Sequence, residues 1–241
     1  MVKLNYEYTN NDSKDVVVFL HGWGLSGEVF NDIISKLENN ISVLKLDLYG
    51  FGKSSQPKKY FDTFEYAYQI FLLLKKLNIN SVMFVGHSFG GRLSILLSSV
   101  FDINVKHCIL TSSAGINRFS LIKWLKIKKY KIIKWLVKSK LISEKYLLNN
   151  GSVDYKNCSE VMKSVFVKVV NQDVRSYAKK IKCRCFLVWD KNDKETPFFI
   201  CKKLSRLIID SVIILFEFGG HFTAFRNSNK LSKIINKNIN V

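Results

Sequence analysis

The stretch "SVMFVGHSFGGRLSILLSS", Ser81 to Ser99, joins two kinds of hydrophobic pattern through a glycine-rich turn. Ser81 to Gly86 is a nearly continuous apolar run of the kind found in a strand covered on both faces. Phe89 to Val100 has the length and spacing of a helix. Between them stand Gly86, His87, Ser88, Phe89, Gly90 and Gly91, a G-x-S-x-G pattern with its serine at the change of period. A sharp strand-to-helix turn strains its corner residue and leaves no room for neighbouring side chains, which is why glycines flank it. The serine is then exposed, with the positive end of the helix dipole directed at it.

Working outward, strand-like runs recur at Val16 to Leu20, Ile41 to Leu48, Val105 to Thr111, Cys183 to Trp189 and Ser211 to Phe218. Helix-length segments lie between them at Ser26 to Glu38, Thr63 to Leu77, Pro197 to Leu207 and Phe222 to Ile235. Alternating strands and helices imply an α/β fold with a mostly parallel, doubly wound sheet. The alternation stops between Gly115 and Lys182, which offers helical patterns only. The expected organisation is a core of residues 1–114 and 183–241 carrying a helical lid at 115–182. Within the lid, Leu121, Trp124, Leu125, Ile132, Ile133, Trp135 and Leu136 gather on one helical face and lysines on the other. The expected use of that face is to pack over the core, with a membrane-surface helix as the alternative.

A serine needs a base to become a nucleophile, and the base needs a carboxylate to orient it. Of the four histidines, His107 lies inside a strand run, His87 adjoins the serine on the wrong side of the turn, and His21 belongs to a separate glycine loop. His221, in "EFGGHF" between the last strand and the last helix, is the candidate base. The preceding strand ends in "FLVWDKNDKETP", which offers Asp190, Asp193 and Glu195. Asp193 is the candidate acid, three residues past the strand end; Asp190 is the alternative. A tetrahedral oxyanion requires two donors. The backbone N–H of Phe89 and that of Trp23, in "FLHGWGLSG", are the candidates, with Trp23, His87 and Trp124 as candidate pocket residues. His21 is expected to brace its loop by hydrogen bonds.

"HGWG", "LDLYGFGKSS", "GHSFGG", the Asp193 loop and "GGHF" together resemble the landmarks of the α/β-hydrolase family, in order and in spacing. The resemblance implies the α/β-hydrolase fold, with the helical lid inserted after the sixth strand, and a triad in the order Ser88, Asp193, His221. "HGWGLSGEVF" with "GFGKS" is similar to small carboxylesterases, including those that cleave the pimeloyl-carrier-protein methyl ester, and to carbon–carbon bond hydrolases. Tyr49 stands where the family often has proline, and Asp190 where glycine is common. Ser88 argues against the dehalogenases and epoxide hydrolases of this fold, which use aspartate at the turn. The expected activity is therefore ester hydrolysis through an acyl-enzyme, with no metal or organic cofactor. A carbon–carbon hydrolase and a ligand-binding pseudo-hydrolase are the alternatives.

Of the 241 residues, 38 are Lys or Arg and 19 Asp or Glu, giving a net charge of +19. Residues 116–182 hold 17 basic and 4 acidic side chains, so most of the excess sits in the lid. Such a field favours an acidic partner, for which a carrier protein is the candidate, unless lysine is simply this chain's default solvated residue. No groove-reading motif accompanies it, so nucleic acid is not expected as a partner. The five cysteines are odd in number and lack a CxxC pair, which suits reduced thiols. Without a signal-like N-terminus or an apolar run of about 18 residues, a soluble cytoplasmic protein without a transmembrane segment is expected.

Overall fold

In the computed structural model the described residues are 3–57, 61–116, 121–143, 145 and 153–239; the side chains of 121–124, 126, 127, 153 and 154 lie outside them. The strand-like runs become β2 (Val16–Leu20), β3 (Ser42–Leu46), β4 (Ser81–His87), β5 (Asn104–Thr111), β6 (Arg184–Trp189) and β7 (Ser211–Leu215), preceded by β1 (Tyr6–Thr9). They form one sheet in the order β1-β3-β2-β4-β5-β6-β7. Every adjacent pair is parallel except β1 with β3, which is antiparallel with Tyr6 opposite Leu46. This is the mostly parallel, doubly wound sheet expected from the alternation.

Strand order reverses at the middle of the sheet. From β2 the chain steps to β3 on one side and then crosses to β4 on the other, so β2 and β4 are neighbours with Leu20 opposite Gly86. A crevice opens beyond the carboxyl ends of strands at such a reversal. Here it brings the His21–Gly24 loop beside Ser88.

Successive residues of a strand face opposite sides. Val18, Leu20 and Phe84 accordingly join one apolar cluster, with α2 (Thr63–Lys76) and α3 (Phe89–Val100). Val17, Phe19, Met83 and Val85 join the other, which includes Phe30, Leu231, Ile235 and Ile33 of the short α1 (Asn31–Ile34). Each fully buried side chain of this size contributes about 1.5–3 kcal/mol relative to exposure. The terminal strand β7 is less covered than its apolar run suggests: Val212, Ile213 and Leu215 are exposed on an edge strand that pairs with β6 alone.

Between β5 and β6 the described chain is helical, comprising α4 (Leu121–Lys138), α5 (Val153–Lys156), α6 (Glu160–Asn171) and α7 (Arg175–Ala178). The insertion follows the fifth strand of this chain, where the sixth was expected. Its packing also differs from expectation. On α4, Leu125, Ile132 and Trp135 are 52, 58 and 62% exposed while Ile133 and Leu136 are half-buried, so the described part of the apolar face singled out in the sequence is only partly covered. The place over the core is taken by α6, whose Met162, Val165 and Val169 are buried and whose N-cap Ser159 accepts from the Met162 N–H. No helix among the described residues is long and apolar enough to cross a membrane.

Candidate active site

Ser88 stands between the last residue of β4 and the first of α3, with φ 51° and ψ −108°. Positive φ in a non-glycine residue is strained and persists only where its surroundings enforce it. Here they do so through close approach. A Cβ on Gly90 would overlap the Leu20 carbonyl of β2, and one on Gly86 would lie 2.6 Å from the Gly90 carbonyl oxygen. The Ser88 N–H donates to the Thr111 carbonyl, and the Ser88 carbonyl accepts from the Ala114 N–H, tying the corner to β5 and its exit.

Trp189 holds the carboxylate loop. Fully buried, it donates its indole N–H to the Thr196 carbonyl at 2.8 Å and so folds residues 190–196 back over the end of β6. The two aspartates of that loop do different things. Asp190 accepts the Asn192 N–H at 2.8 Å and the Gly220 N–H at 2.7 Å, fixing the backbone next to His221. Asp193 faces the imidazole itself, with His221 Nδ1 at 3.0 Å from Oδ2 and 3.3 Å from Oδ1. Its Oδ1 also accepts the Glu195 and Thr196 N–H groups, both at 2.9 Å. The Thr196 hydroxyl lies 2.8 Å from Oδ2 and 3.3 Å from His221 Nδ1. Burial pushes the Asp193 carboxyl upward, but the bond and charge of His221 and the Thr196 donors outweigh it and hold the group below its ordinary value. His221 Nε2 makes no hydrogen bond to Ser88; it lies 3.4 Å from Glu195 Oε2.

His21 and His87 are buried supports. His21 Nδ1 donates to the Gly22 carbonyl at 2.7 Å and Nε2 accepts the Leu48 N–H at 2.9 Å. That pairing requires a neutral ring, and burial lowers its pKa to about 4. His87 is lowered to about 3, first by burial and then by the neighbouring His221, whose ring centroid is 4.9 Å away. The Trp23 ring packs on Phe51, Phe89 and Phe166 with centroids 4.8, 5.6 and 5.1 Å away, connecting the glycine loop to α6. Trp124 lies in α4, but its side chain is outside the described residues.

Two cavities meet at this point. One, of about 540 Å³, runs past Gly22, Phe51, His87 and Met162; the other, of about 550 Å³, runs past Arg92, Phe166 and Val169. Trp23, Ser88, Glu195 and His221 line both. The Trp23 and Phe89 N–H groups make no hydrogen bond to another described residue. For Phe89 this follows from its place in the first helical turn, where N–H groups lack intrahelical acceptors.

Residues 15–128 match the family described as the alpha/beta hydrolase fold. Over 224 residues the chain is 30% identical to a pimeloyl-[acyl-carrier protein] methyl ester esterase of Wigglesworthia glossinidia brevipalpis, a match that spans 83% of this chain and 84% of that protein. The chain belongs to the α/β-hydrolase family. It is also 25% identical over 261 residues to the "Uncharacterized hydrolase YugF" of Bacillus subtilis, spanning 97% of this chain and 93% of that one. An esterase from Exiguobacterium antarcticum shares the fold at a TM-score of 0.76 and 20% identity, with 100% of this chain and 96% of that chain covered.

Several residues of this α/β-hydrolase site escaped the sequence reading. Thr196 has no motif of its own, and Glu195 was passed over as a third choice of acid. Met162 and Phe166 sit on a helix whose packing could not be told from that of α4. Arg92 carried a signal that went unread: it is the only charged residue in α3. Among the described residues no cluster of three or more His, Cys, Asp or Glu side chains is arranged to hold a metal ion.

Proposed function

We propose that this α/β-hydrolase is a serine carboxylesterase working through an acyl-enzyme. The observation that carries the reading is the meeting of a strained, glycine-flanked Ser88 with His221 at the junction of two cavities, His221 being held through Nδ1 by Asp193. Ser88 Oγ attacks the ester carbonyl while His221 Nε2 takes its proton. Asp193 keeps the other imidazole proton on Nδ1 and stabilises the imidazolium. The N–H groups of Trp23 and Phe89 hold the oxyanion. Collapse breaks the bond to the alcohol, which receives the proton from Nε2. Water, deprotonated by the same nitrogen, then releases the acid and restores Ser88. Before the first step Nε2 must leave the neighbourhood of Glu195 for Ser88, a tightening that bound substrate commonly brings about.

Two arms meeting at the nucleophile suit an ester, one arm for the acyl group and one for the alcohol. In this reading residues 115–182 form a cap over the core of 1–114 and 183–241, with α6 closing the site and Trp23 walling both arms. The positive charge of the cap, together with the carrier-linked methyl ester named for the relative from Wigglesworthia, favours an ester substrate linked to an acidic carrier protein. Activity on a carrier-linked ester should then fall steeply with salt, while activity on a small neutral ester should not. The primary test is turnover of p-nitrophenyl butyrate by Ser88→Ala. Loss of turnover with thermal stability kept supports the assignment, and retained turnover overturns it.

A further inference from the structure

Arg92 lies four residues beyond Ser88, one turn along α3 and about 6 Å further up its axis, on the same side of the helix. It is only 4% exposed, and its Nε and Nη1 have no hydrogen-bond partner among the described residues. Arg92 lines the second arm of the site beside Phe166, Val169 and Ala114, and shares that arm with Ser88 and His221. Two carboxylates are in the vicinity. Asp173 attracts Arg92 electrostatically but bonds to Arg175 at 2.9 Å. Glu195 is 63% exposed and faces His221. Burial lowers the Arg92 pKa to about 10, so it remains charged at neutral pH.

A buried guanidinium with two nitrogens left without a hydrogen bond is costly, and an apolar side chain of similar length would fill the same space without that cost. We propose that Arg92 binds a carboxylate at the far end of the acyl group, so that the favoured substrates are half-esters of short dicarboxylic acids. The planar guanidinium matches a carboxylate with two parallel N–H···O bonds. The apolar walls of Phe166, Val169 and Ala114 exclude competing water and suit the intervening methylenes. The short distance from Ser88 limits that spacer to a few carbons. The proposal rests on Ser88 being the nucleophile, and its test separates the two.

The test compares kcat/KM for mono-p-nitrophenyl glutarate with that for p-nitrophenyl valerate, an acyl group of equal length without the charge. The native enzyme should prefer the glutarate ester. Arg92→Met should lower the ratio of the two by about 100-fold, and Arg92→Lys by less, since lysine keeps the charge but not the fork. A ratio near one in the native enzyme, or one unchanged in both variants, overturns the proposal while leaving ester hydrolysis intact. Binding is read without turnover: glutarate should raise the melting temperature of Ser88→Ala and fail to raise that of the Ser88→Ala, Arg92→Met double variant. If glutarate does so while no ester is cleaved, the carboxylate site stands and the hydrolase reading falls. A rise with inorganic phosphate but not glutarate overturns the carboxylate assignment. Without ligand, Arg92→Met should melt no lower than the native protein; a marked drop would make Arg92 a packing residue and overturn its role as an anchor.

Discussion

Replacing either loop aspartate by asparagine changes almost no volume, and the structure makes opposite forecasts for the two. In Asp193→Asn the single remaining oxygen can still accept the Glu195 and Thr196 N–H groups, as Oδ1 does now at 2.9 Å. The new amide NH₂ then occupies the place of Oδ2 and points at His221 Nδ1, 3.0 Å away. A donor there forces Nδ1 to accept and moves the ring proton to Nε2, which can no longer take a proton from Ser88. In triads of this kind that tautomer change lowers kcat about 10⁴-fold, or roughly 5.5 kcal/mol of barrier. The fold keeps both loop bonds and loses about 1 kcal/mol.

Asp190→Asn behaves in the reverse way. Both Asp190 oxygens accept backbone N–H groups, from Asn192 and Gly220, so one of those donors would confront an NH₂ in a buried place. An unsatisfied buried donor costs about 1–3 kcal/mol, and the imidazole, held only indirectly by this residue, should lose far less activity. Urea unfolding and steady-state hydrolysis of p-nitrophenyl butyrate on both variants give the two readouts. Activity of Asp193→Asn within tenfold of native, with Asp190→Asn inactive though folded, would refute the assignment of roles.

Gly90→Ala should lower stability by about 1–3 kcal/mol or more in urea unfolding, because its Cβ meets the backbone of β2, which cannot turn aside as a side chain could; native stability would contradict the crowding argument. Acid should weaken the fold earlier than carboxylates alone would explain. His21 and His87 have folded pKa values of about 4 and about 3 against an ordinary 6.5, so below pH 6.5 the unfolded chain binds protons that the folded one refuses. Stability is full above pH 6.5, and these two rings together lower it by up to about 2.7 kcal/mol per pH unit down to about pH 4; His107, also depressed by burial, adds a loss of the same sign. The depressed carboxylates Asp47 and Asp193 act only below their ordinary value of 3.8 and do not enter that window. Urea titrations at pH 7, 6 and 5 read the slope; His87→Gln should reduce it by about half, and a flat profile would contradict the buried neutral rings.

The parts of this fold legible in the sequence are those where local pattern and tertiary role coincide. The turn at Ser88 announces itself because strain and close approach admit only glycine beside it, and the α3 segment read from the sequence, Phe89–Val100, is the helix observed. Strand β1 was missed because "YEYT" alternates polar and aromatic residues on an antiparallel edge, with none of the apolar continuity of the central strands. The α4 face misled for the opposite reason. Periodicity says that a face is apolar but not which helix reaches the core, and α6, nearer in sequence to β6, fills that place. The choice between Asp190 and Asp193 depended on loop geometry that Trp189 imposes through Thr196, a bond across seven residues with no sequence signature. Arg92 could have been noticed as a lone charge in an apolar helix, but only the folded chain shows that it lines a cavity shared with Ser88.

Ester hydrolysis through an acyl-enzyme requires that Ser88 become covalently acylated. Rapid acid quench of the enzyme with p-nitrophenyl butyrate, followed by peptide mass mapping, tests it directly. A butyryl group is expected on the peptide containing Ser88 and on no other, and is expected to be absent in Ser88→Ala. Butyrylation confined to another residue, or a burst of p-nitrophenol that survives in Ser88→Ala, would contradict it.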